Sequence, residues 1–268
     1  MINNKYSSTL IKRFFLEIYQ TLRNVDRNMT EVWQEISEIT SLKGFDNNYG
    51  LIEFLSYFNF INIEDGNYLK NHYISIDKIK FICESMKYID FIDLKNLSGL
   101  VDYSGFEALV KEILLRNGFS ALLNYRFTDK STFKSKTKQN RYEIDVIGIQ
   151  DKYILIIDAK QWKNRDSYSA INKAANLQYR RVLALKKNPE IFSNLIQQLV
   201  GLNHKKKLPL VLIPMMLTLE DNGTKMNENQ IPLVSIYHFN AFINELYFNI
   251  KSFKTIKINR INVQTQLF

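Results

Sequence analysis

Residues 142–160, YEIDVIGIQDKYILIIDAK, constrain this chain more than any other stretch. Two apolar runs flank a polar break, the pattern of two strands joined by a tight turn. Each run carries an acid: Asp145 interrupts the first, and the second ends in Asp158-Ala159-Lys160. Ionised groups are rarely buried unless they are paired or hold a metal. Alternation adds geometry. With the turn centred on Gln150-Asp151, Asp145 stands opposite Ile156 and Glu143 opposite Asp158. Glu143, Asp145, Asp158 and Lys160 then share one face of the sheet. A slip of one residue would exchange the faces.

Chemistry gives these residue types a joint task. Two carboxylates with carbonyls and waters suit a hard cation such as Mg²⁺, or Mn²⁺, which takes the same oxygen ligands. Such a metal lowers the pKa of bound water and offsets charge on a phosphoryl oxygen. A lysine beside it orients the water or neutralises the reacting phosphate. The plainer alternative is a surface hairpin whose Asp158 pairs with a neighbouring lysine. The apolar run 153–157 argues instead for a central strand.

Asp145 with Asp158-Ala159-Lys160 resembles the PD-(D/E)XK nuclease signature, Ile144 standing where that family has its weakly kept proline. Upstream, residues 106–119 (FEALVKEILLRNGF) are similar to the first helix of archaeal Holliday-junction resolvases and Mrr-type restriction nucleases. The resemblance spans residues 104–185. It implies an α/β fold with a restriction-endonuclease-like core, a mixed central sheet flanked by helices. It further implies that Glu107, Asp145 and Asp158 bind the metal, that Lys160 is the catalytic lysine, and that Gln178 on the following helix assists. The implied activity is a Mg²⁺-dependent endodeoxyribonuclease, with Mn²⁺ substituting. Three residues have second readings. Ser104 to Glu107 is also a capping box, in which Glu107 bonds back to the helix start; Gln178 also suits the solvent face of a helix; Glu143 reads as a rim charge.

Net charge is +9, unevenly spread. Residues 1–95 hold 11 Lys/Arg against 13 Asp/Glu, and residues 96–268 hold 25 against 14. The excess positive charge follows the hairpin, as a polyanionic substrate requires. Residues 129–141 form a polar, aperiodic stretch between two predicted strands. Lys134, Lys136, Lys138 and Arg141 in it, with Lys163 after the hairpin, are the expected DNA contacts; a solvated linker is the bland reading. Residues 251–260 alternate basic and apolar residues, which fits either an edge strand guarded by lysines or a DNA-contacting tail. One cysteine, Cys83, excludes an internal disulfide and reads as a buried small hydrophobe. No signal peptide or spanning apolar run is evident, so the residues predict an intracellular, cytoplasmic protein, nucleoid-associated if DNA-bound, with no membrane partner.

Two domains are expected, residues 1–95 and 96–268. In the second, helices are predicted over 106–117, 168–187, 191–202 and 239–248, and strands over 121–127, the hairpin, 208–214 and 231–237. In the first, apolar spacing predicts helices over residues 10–22, 30–39, 47–59 and 77–93, and Asp65-Gly66 marks a hairpin. The pattern suggests a mostly helical, winged-helix-like domain. Its expected recognition helix, 47–59, contains no Lys or Arg, which points away from DNA reading and towards dimerisation or a protein partner. The overall expectation is a DNA-cleaving homodimer. The alternatives are a catalytically silent nuclease-fold protein that binds DNA or acts as a scaffold, and cleavage of RNA.

Overall fold

The computed structural model describes residues 5–64, 73–85, 88, 94–129, 141–161, 168–201, 207–221, 223 and 225–261. By its contacts the chain divides into two compact units, Met1–Glu112 and Ile113–Phe268. The division falls inside a helix, later than the boundary at residues 95–96 expected from sequence.

The N-terminal unit begins with α1 (Ser8–Arg23), whose Ser7 side chain caps the Leu10 N–H. Strand β1 (Glu31–Glu35) follows, then two single 3₁₀ turns, α2 (Asn48–Ser56), β2 (Ile61–Glu64), β3 (Tyr73–Asp77), α3 (Lys78–Ser85) and α4 (Leu94–Ser98). The strands form an antiparallel sheet in the order β1-β3-β2. The helix expected over residues 30–39 is therefore corrected: its first half is β1, paired Val32↔Ile76 and Gln34↔Ile74. Ile36, Ile39 and Leu42 are all buried, and their spacing of three is the 3₁₀ period rather than the α period. Phe14, Phe15, Phe54, Phe58, Phe60 and Phe81 make the core, with Phe60 and Phe81 centroids 5.1 Å apart in an edge-to-face contact. Cys83 is buried, as expected. The Asp65-Gly66 turn lies outside the described residues.

Helix α5 (Tyr103–Arg116) starts two residues earlier than its Ser104 capping box suggested. Asp102 Oδ1 instead accepts the Gly105 N–H at 2.7 Å. Gly118 ends the helix region at φ 79, and Phe119 N–H reaches back to Leu114 O at 3.0 Å. That left-handed C-terminal turn explains the Gly-Phe pair before the next strand.

The C-terminal unit is built on a six-stranded mixed sheet. Its elements are β4 (Ser120–Thr128), β5 (Arg141–Gln150), β6 (Tyr153–Lys160), α6 (Tyr168–Lys187), α7 (Pro189–Val200), β7 (Leu210–Thr218), β8 (Leu233–Ser235), α8 (Ile236–Asn249) and β9 (Ile256–Ile258). Strands β4-β5-β6 are antiparallel, β6-β7-β8 are parallel, and β9 joins β7 antiparallel. The residues of β7, and those of β6 from Ile154 to Ala159, are buried throughout, the mark of strands covered on both faces. Ile147, Ile149, Ile154 and Ile156 pack with Val182 and Leu185 of α6 and Phe192, Leu195 and Ile196 of α7. The opposite face carries Gln150 and Tyr153, which meet Asn117 and Tyr247 of α8.

Proline placement in β7 follows from hydrogen-bond direction. The strand was expected to end at Pro214, yet it continues to Thr218. Val211 N–H donates to Lys152 O on the β6 side, and Met216 N–H to Pro232 O on the other side. Residue 214 therefore turns its nitrogen away from β6. There β9 covers Leu210 to Leu212 and β8 covers Met216 to Thr218, so Pro214 lies in the gap and its missing N–H costs no ladder bond. The 231–237 expectation splits into β8 and the start of α8. The basic stretch 251–260 contains β9, a short edge strand with Lys257 exposed between buried Ile256 and Ile258, the arrangement that guards an edge.

A Cβ at Gly105 would sit 2.5 Å from Val101 Cβ, an atom that cannot move without its backbone. Gly105→Ala is expected to lower stability by about 1–3 kcal/mol in urea unfolding. Gly44→Ala, with nothing within 4 Å of the new atom, should stay within about 0.5 kcal/mol of wild type. Equal stability of the two variants would contradict the packing described.

Candidate active site at a strand fork

Strands β5 and β6 pair from Gln150↔Tyr153 to Val146↔Ile157, and there their ladder stops. Beyond it β5 stays with β4 as far as Thr128↔Arg141, while β6 stays with β7 as far as Lys160↔Thr218. The two strands part at Asp145 and Asp158. The turn is Asp151-Lys152, with Asp151 at φ 51, one residue later than expected. The register is therefore shifted by two, and continuing it sets Asp145 opposite Asp158 rather than Ile156. A shift of two preserves the face, so Asp145, Asp158 and Lys160 still converge.

A break in alternation accompanies the parting. Ile144 and Ile147, three apart on β5, both belong to the core beneath α6 and α7, and Leu122 and Tyr125 of β4 pack against the same core. Residues three apart belong on opposite faces of a regular strand. Between Leu122 and Tyr125 lies Asn124, at φ 52, so the pleat is twisted at the level of Asp145. The Ala159 N–H, past the end of the β5–β6 ladder, donates to Asp145 Oδ2 at 2.9 Å.

Two cations close the fork. Lys160 Nζ lies 3.3 Å from Asp145 Oδ2 and 3.2 Å from Asp158 Oδ1. Arg181 Nη1 lies 2.8 Å from Asp158 Oδ1 and donates to Gln178 Oε1 at 2.9 Å. Gln178, wholly buried, donates from Nε2 to Ile156 O at 2.9 Å. Gln178 and Arg181 are three apart on α6 and so share its inner side. Asp158 is 2% exposed and Asp145 7%. The other oxygens, Asp145 Oδ1 and Asp158 Oδ2, have no hydrogen bond to a described residue.

Burial pushes the Asp145 carboxyl above the usual carboxylate range, and the nearby Asp158 adds to this; Lys160 and the Ala159 N–H pull against it. Lys160 is depressed by burial, but the two carboxylates together outweigh that and leave its pKa raised. The lysine therefore stays an ammonium through the neutral range. Donor chemistry at the fork fits a hard cation: two carboxylates, each with an oxygen that bonds none of the described residues, suit Mg²⁺ when it keeps several waters.

The remaining expected residues are placed as follows. Glu107 lies in the second turn of α5, half-buried, within the N-terminal unit. Among the described residues no group of three or more His, Cys, Asp or Glu gathers as a metal cluster. Glu143 pairs with Arg126 across β4 at 2.8 Å, on the exposed rim. Arg141 is exposed at the start of β5. Lys134, Lys136, Lys138 and Lys163 lie outside the described residues. Arg181 was not foreseen from sequence; its signal is its place three residues after Gln178.

A carboxyl whose native pKa exceeds its unfolded value holds its proton more tightly when folded. The stability linked to it is full below the unfolded pKa and is lost as pH rises through the native one. The unfolding free energy of wild type minus that of Asp145→Asn is therefore expected to fall as pH rises through and above the usual carboxylate range. Chemical denaturation at a series of pH values measures this, and a difference that is flat or rises would contradict the assigned environment.

No protein-family model matches the chain, and no curated protein matches it in sequence. Among solved structures, protein VC1899 from Vibrio cholerae aligns at 14% identity with a TM-score of 0.36, over 91% of this chain. The chain spans about half, 53%, of the length of that protein. A likeness at this level carries no inference about fold or activity. Among the described residues no helix is long and apolar enough to cross a membrane.

Proposed function

We propose that this chain is a divalent-metal-dependent DNA endonuclease of the PD-(D/E)XK type, hydrolysing phosphodiester bonds in branched or duplex DNA. The observation that carries the proposal is the fork itself, where Lys160 lies within 3.3 Å of both buried carboxylates, Asp145 and Asp158. A structural ion pair is better made at a surface or replaced by apolar side chains, because desolvating charge is costly. Crowding two acids at the end of a central hairpin suits a site that must meet a cation and a phosphate.

In this reading Asp145 and Asp158 hold Mg²⁺ or Mn²⁺, which would acidify a bound water and offset phosphoryl charge. Lys160, fixed between the acids and permanently charged at neutral pH, places an ammonium where the reacting phosphate gains negative charge. Arg181 and Gln178 act on the site through Asp158, fixing its carboxylate from α6. The Ala159 N–H does the same for Asp145 from the backbone. The resemblance alone adds Glu107 of α5 as a third carboxylate.

The order α5, β4, β5, β6, α6, α7, β7 supports a restriction-endonuclease-like core. In the N-terminal unit, α1, β1, α2 and the β2–β3 pair in a β1-β3-β2 sheet support a winged-helix-like domain. Its α2 has no Lys or Arg and exposes Tyr49 and Ile52, side chains suited to a protein surface rather than to phosphate. A homodimer follows if the substrate is a junction, since paired nicks need two matched sites.

One observation favours a second reading. Lys160 and Arg181 already balance the two carboxylates, so the cluster is electrostatically complete by itself. A silent nuclease-fold protein that binds DNA or serves as a scaffold would have such a closed quartet.

Cleavage separates the two. Supercoiled plasmid, linear duplex, single strand, a four-way junction and an RNA hairpin are incubated with Mg²⁺, Mn²⁺ or EDTA. Metal-dependent cutting is expected, lowered about 100-fold or more in Asp158→Asn and Lys160→Ala. Arg181→Ala should lose about tenfold, partly restored by Arg181→Lys, and Glu107→Gln tests the third acid. Cutting that survives in Asp158→Asn and Lys160→Ala would sink the assignment. Binding without cutting in any metal would establish the silent reading.

Mg²⁺ is also expected to raise the melting temperature of wild type by mass action, and not that of the Asp145→Asn/Asp158→Asn protein. An equal rise in both would place the metal elsewhere.

A further inference from the structure

Helix α6 carries more positive charge than the fork uses. Its 20 residues include Lys173, Arg180, Arg181, Lys186 and Lys187 and no Asp or Glu. Arg181 is committed to Asp158. Lys173, Arg180 and Lys187 recur every seven residues, and all three are exposed. Seven residues come within about 20° of two full turns, so the three cations form one stripe with steps of roughly 10 Å.

Beside the upper part of this stripe lies an open cavity of about 790 Å³, lined by Ser169, Lys173, Asn176, Leu177, Arg180 and Glu228 among others. Its far wall is firmly built. Asn227, 5% exposed, donates from Nδ2 to Asn172 Oδ1 at 3.0 Å and to Asn176 Oδ1 at 3.1 Å. Its own Oδ1 accepts the N–H groups of Asn229 and Ile231 at 3.0 and 2.9 Å. Asn229 Nδ2 adds a bond of 2.7 Å to Asn176 Oδ1. This amide ladder holds the segment before β8 against α6. With Oδ1 committed to the ladder, the NH₂ groups of Asn172 and Asn176 donate to none of the described residues, and such donors suit phosphate oxygens.

We propose that this groove takes the sugar-phosphate backbone of a single nucleic-acid strand running to or from the fork. The proposal rests on the nuclease reading and names the path of its substrate. Among the described lining residues two cations and the amide donors face one acid, Glu228, so the lining favours an anion. Leu177, 43% exposed, with Ala170 and Ala174 supplies a narrow apolar strip for sugar or base faces. Arg180 lines the groove and the next residue, Arg181, pairs with Asp158, so one turn of α6 carries both, about 100° apart around its axis. The apolar strip is too narrow for a lipid surface, which calls for a broad apolar helix face.

The test is fluorescence anisotropy of a labelled single-stranded oligonucleotide with the full chain in EDTA, where cleavage does not enter, over a salt series. Lys173→Ala/Arg180→Ala is expected to weaken binding by at least about tenfold and to reduce the slope of log K against log salt by about 1.4, two contacts at about 0.7 each. Glu228→Gln should tighten binding. Lys12→Ala/Lys43→Ala, which removes the same charge from exposed sites in the N-terminal unit, should leave the slope unchanged. An equal loss in that control overturns the proposal, because net charge alone would then explain binding. Unchanged binding in Lys173→Ala/Arg180→Ala beside intact metal-dependent cleavage also overturns it, while the nuclease reading stands. Displacement of the oligonucleotide by poly-glutamate as readily as by unlabelled DNA would assign the groove to an acidic protein instead. Groove-dependent binding without cleavage in any metal would uphold the groove and refute the nuclease reading.

Discussion

The parting of β5 from β6 is the constraint on which the rest of the site depends. Two antiparallel strands continue together as long as each N–H finds a carbonyl across the ladder. Here the Asp145 carboxylate takes the Ala159 N–H instead, so the strands separate without leaving that donor unpaired. The separation opens room for Lys160 to reach both acids. Had the ladder continued, Asp145 and Asp158 would have met face to face with no cation between them. Like charges directly opposite are destabilising in a sheet.

Helix α6 makes the fork durable. Ile171, Ala175, Gln178, Val182 and Leu185 lie on one side of it, all buried, at the spacing of an apolar stripe. Four of these five anchor the helix by packing, and the fifth, Gln178, is carried into the interior with them. Its amide then has to be satisfied, and the Ile156 carbonyl and Arg181 do this. Arg181 in turn fixes Asp158. The rigidity of the acid thus derives from apolar contacts made one turn away on either side. Burial of Asp145 disfavours its charged form and pushes its pKa up, so the arrangement is held against a cost.

How far the structure was legible depended on whether local period and tertiary pairing agreed. They agreed in the hairpin, where alternation brought Asp145, Asp158 and Lys160 to one face even though the turn was placed one residue early; the error was an even shift, and parity survived it. They disagreed over residues 30–39. Val32, Trp33, Ile36 and Ile39 fit an α period on paper, but Val32 is paired with Ile76 of β3, and the later residues follow a period of three. Nothing local in residues 31–35 announces a partner more than forty positions away. The position of Gln178 on the apolar stripe of α6 marks it as buried, whereas its residue type alone suggests solvent. Arg181 was missed because, beside Arg180, it reads as one more surface cation.

Composition and periodicity in the chain were enough to set the order of elements in the C-terminal unit as far as α8, the burial of the hairpin, the convergence of its acids with a lysine, and the concentration of positive charge in that half. Those properties depend on the residue itself and on neighbours within a few positions. The fork, the second cation on Asp158, the passage of β7 through Pro214 and the strand at residues 31–35 were decided by tertiary structure. Each of them turns on which backbone groups find partners across the sheet, and a strand's own residues carry almost no record of where its neighbour stops.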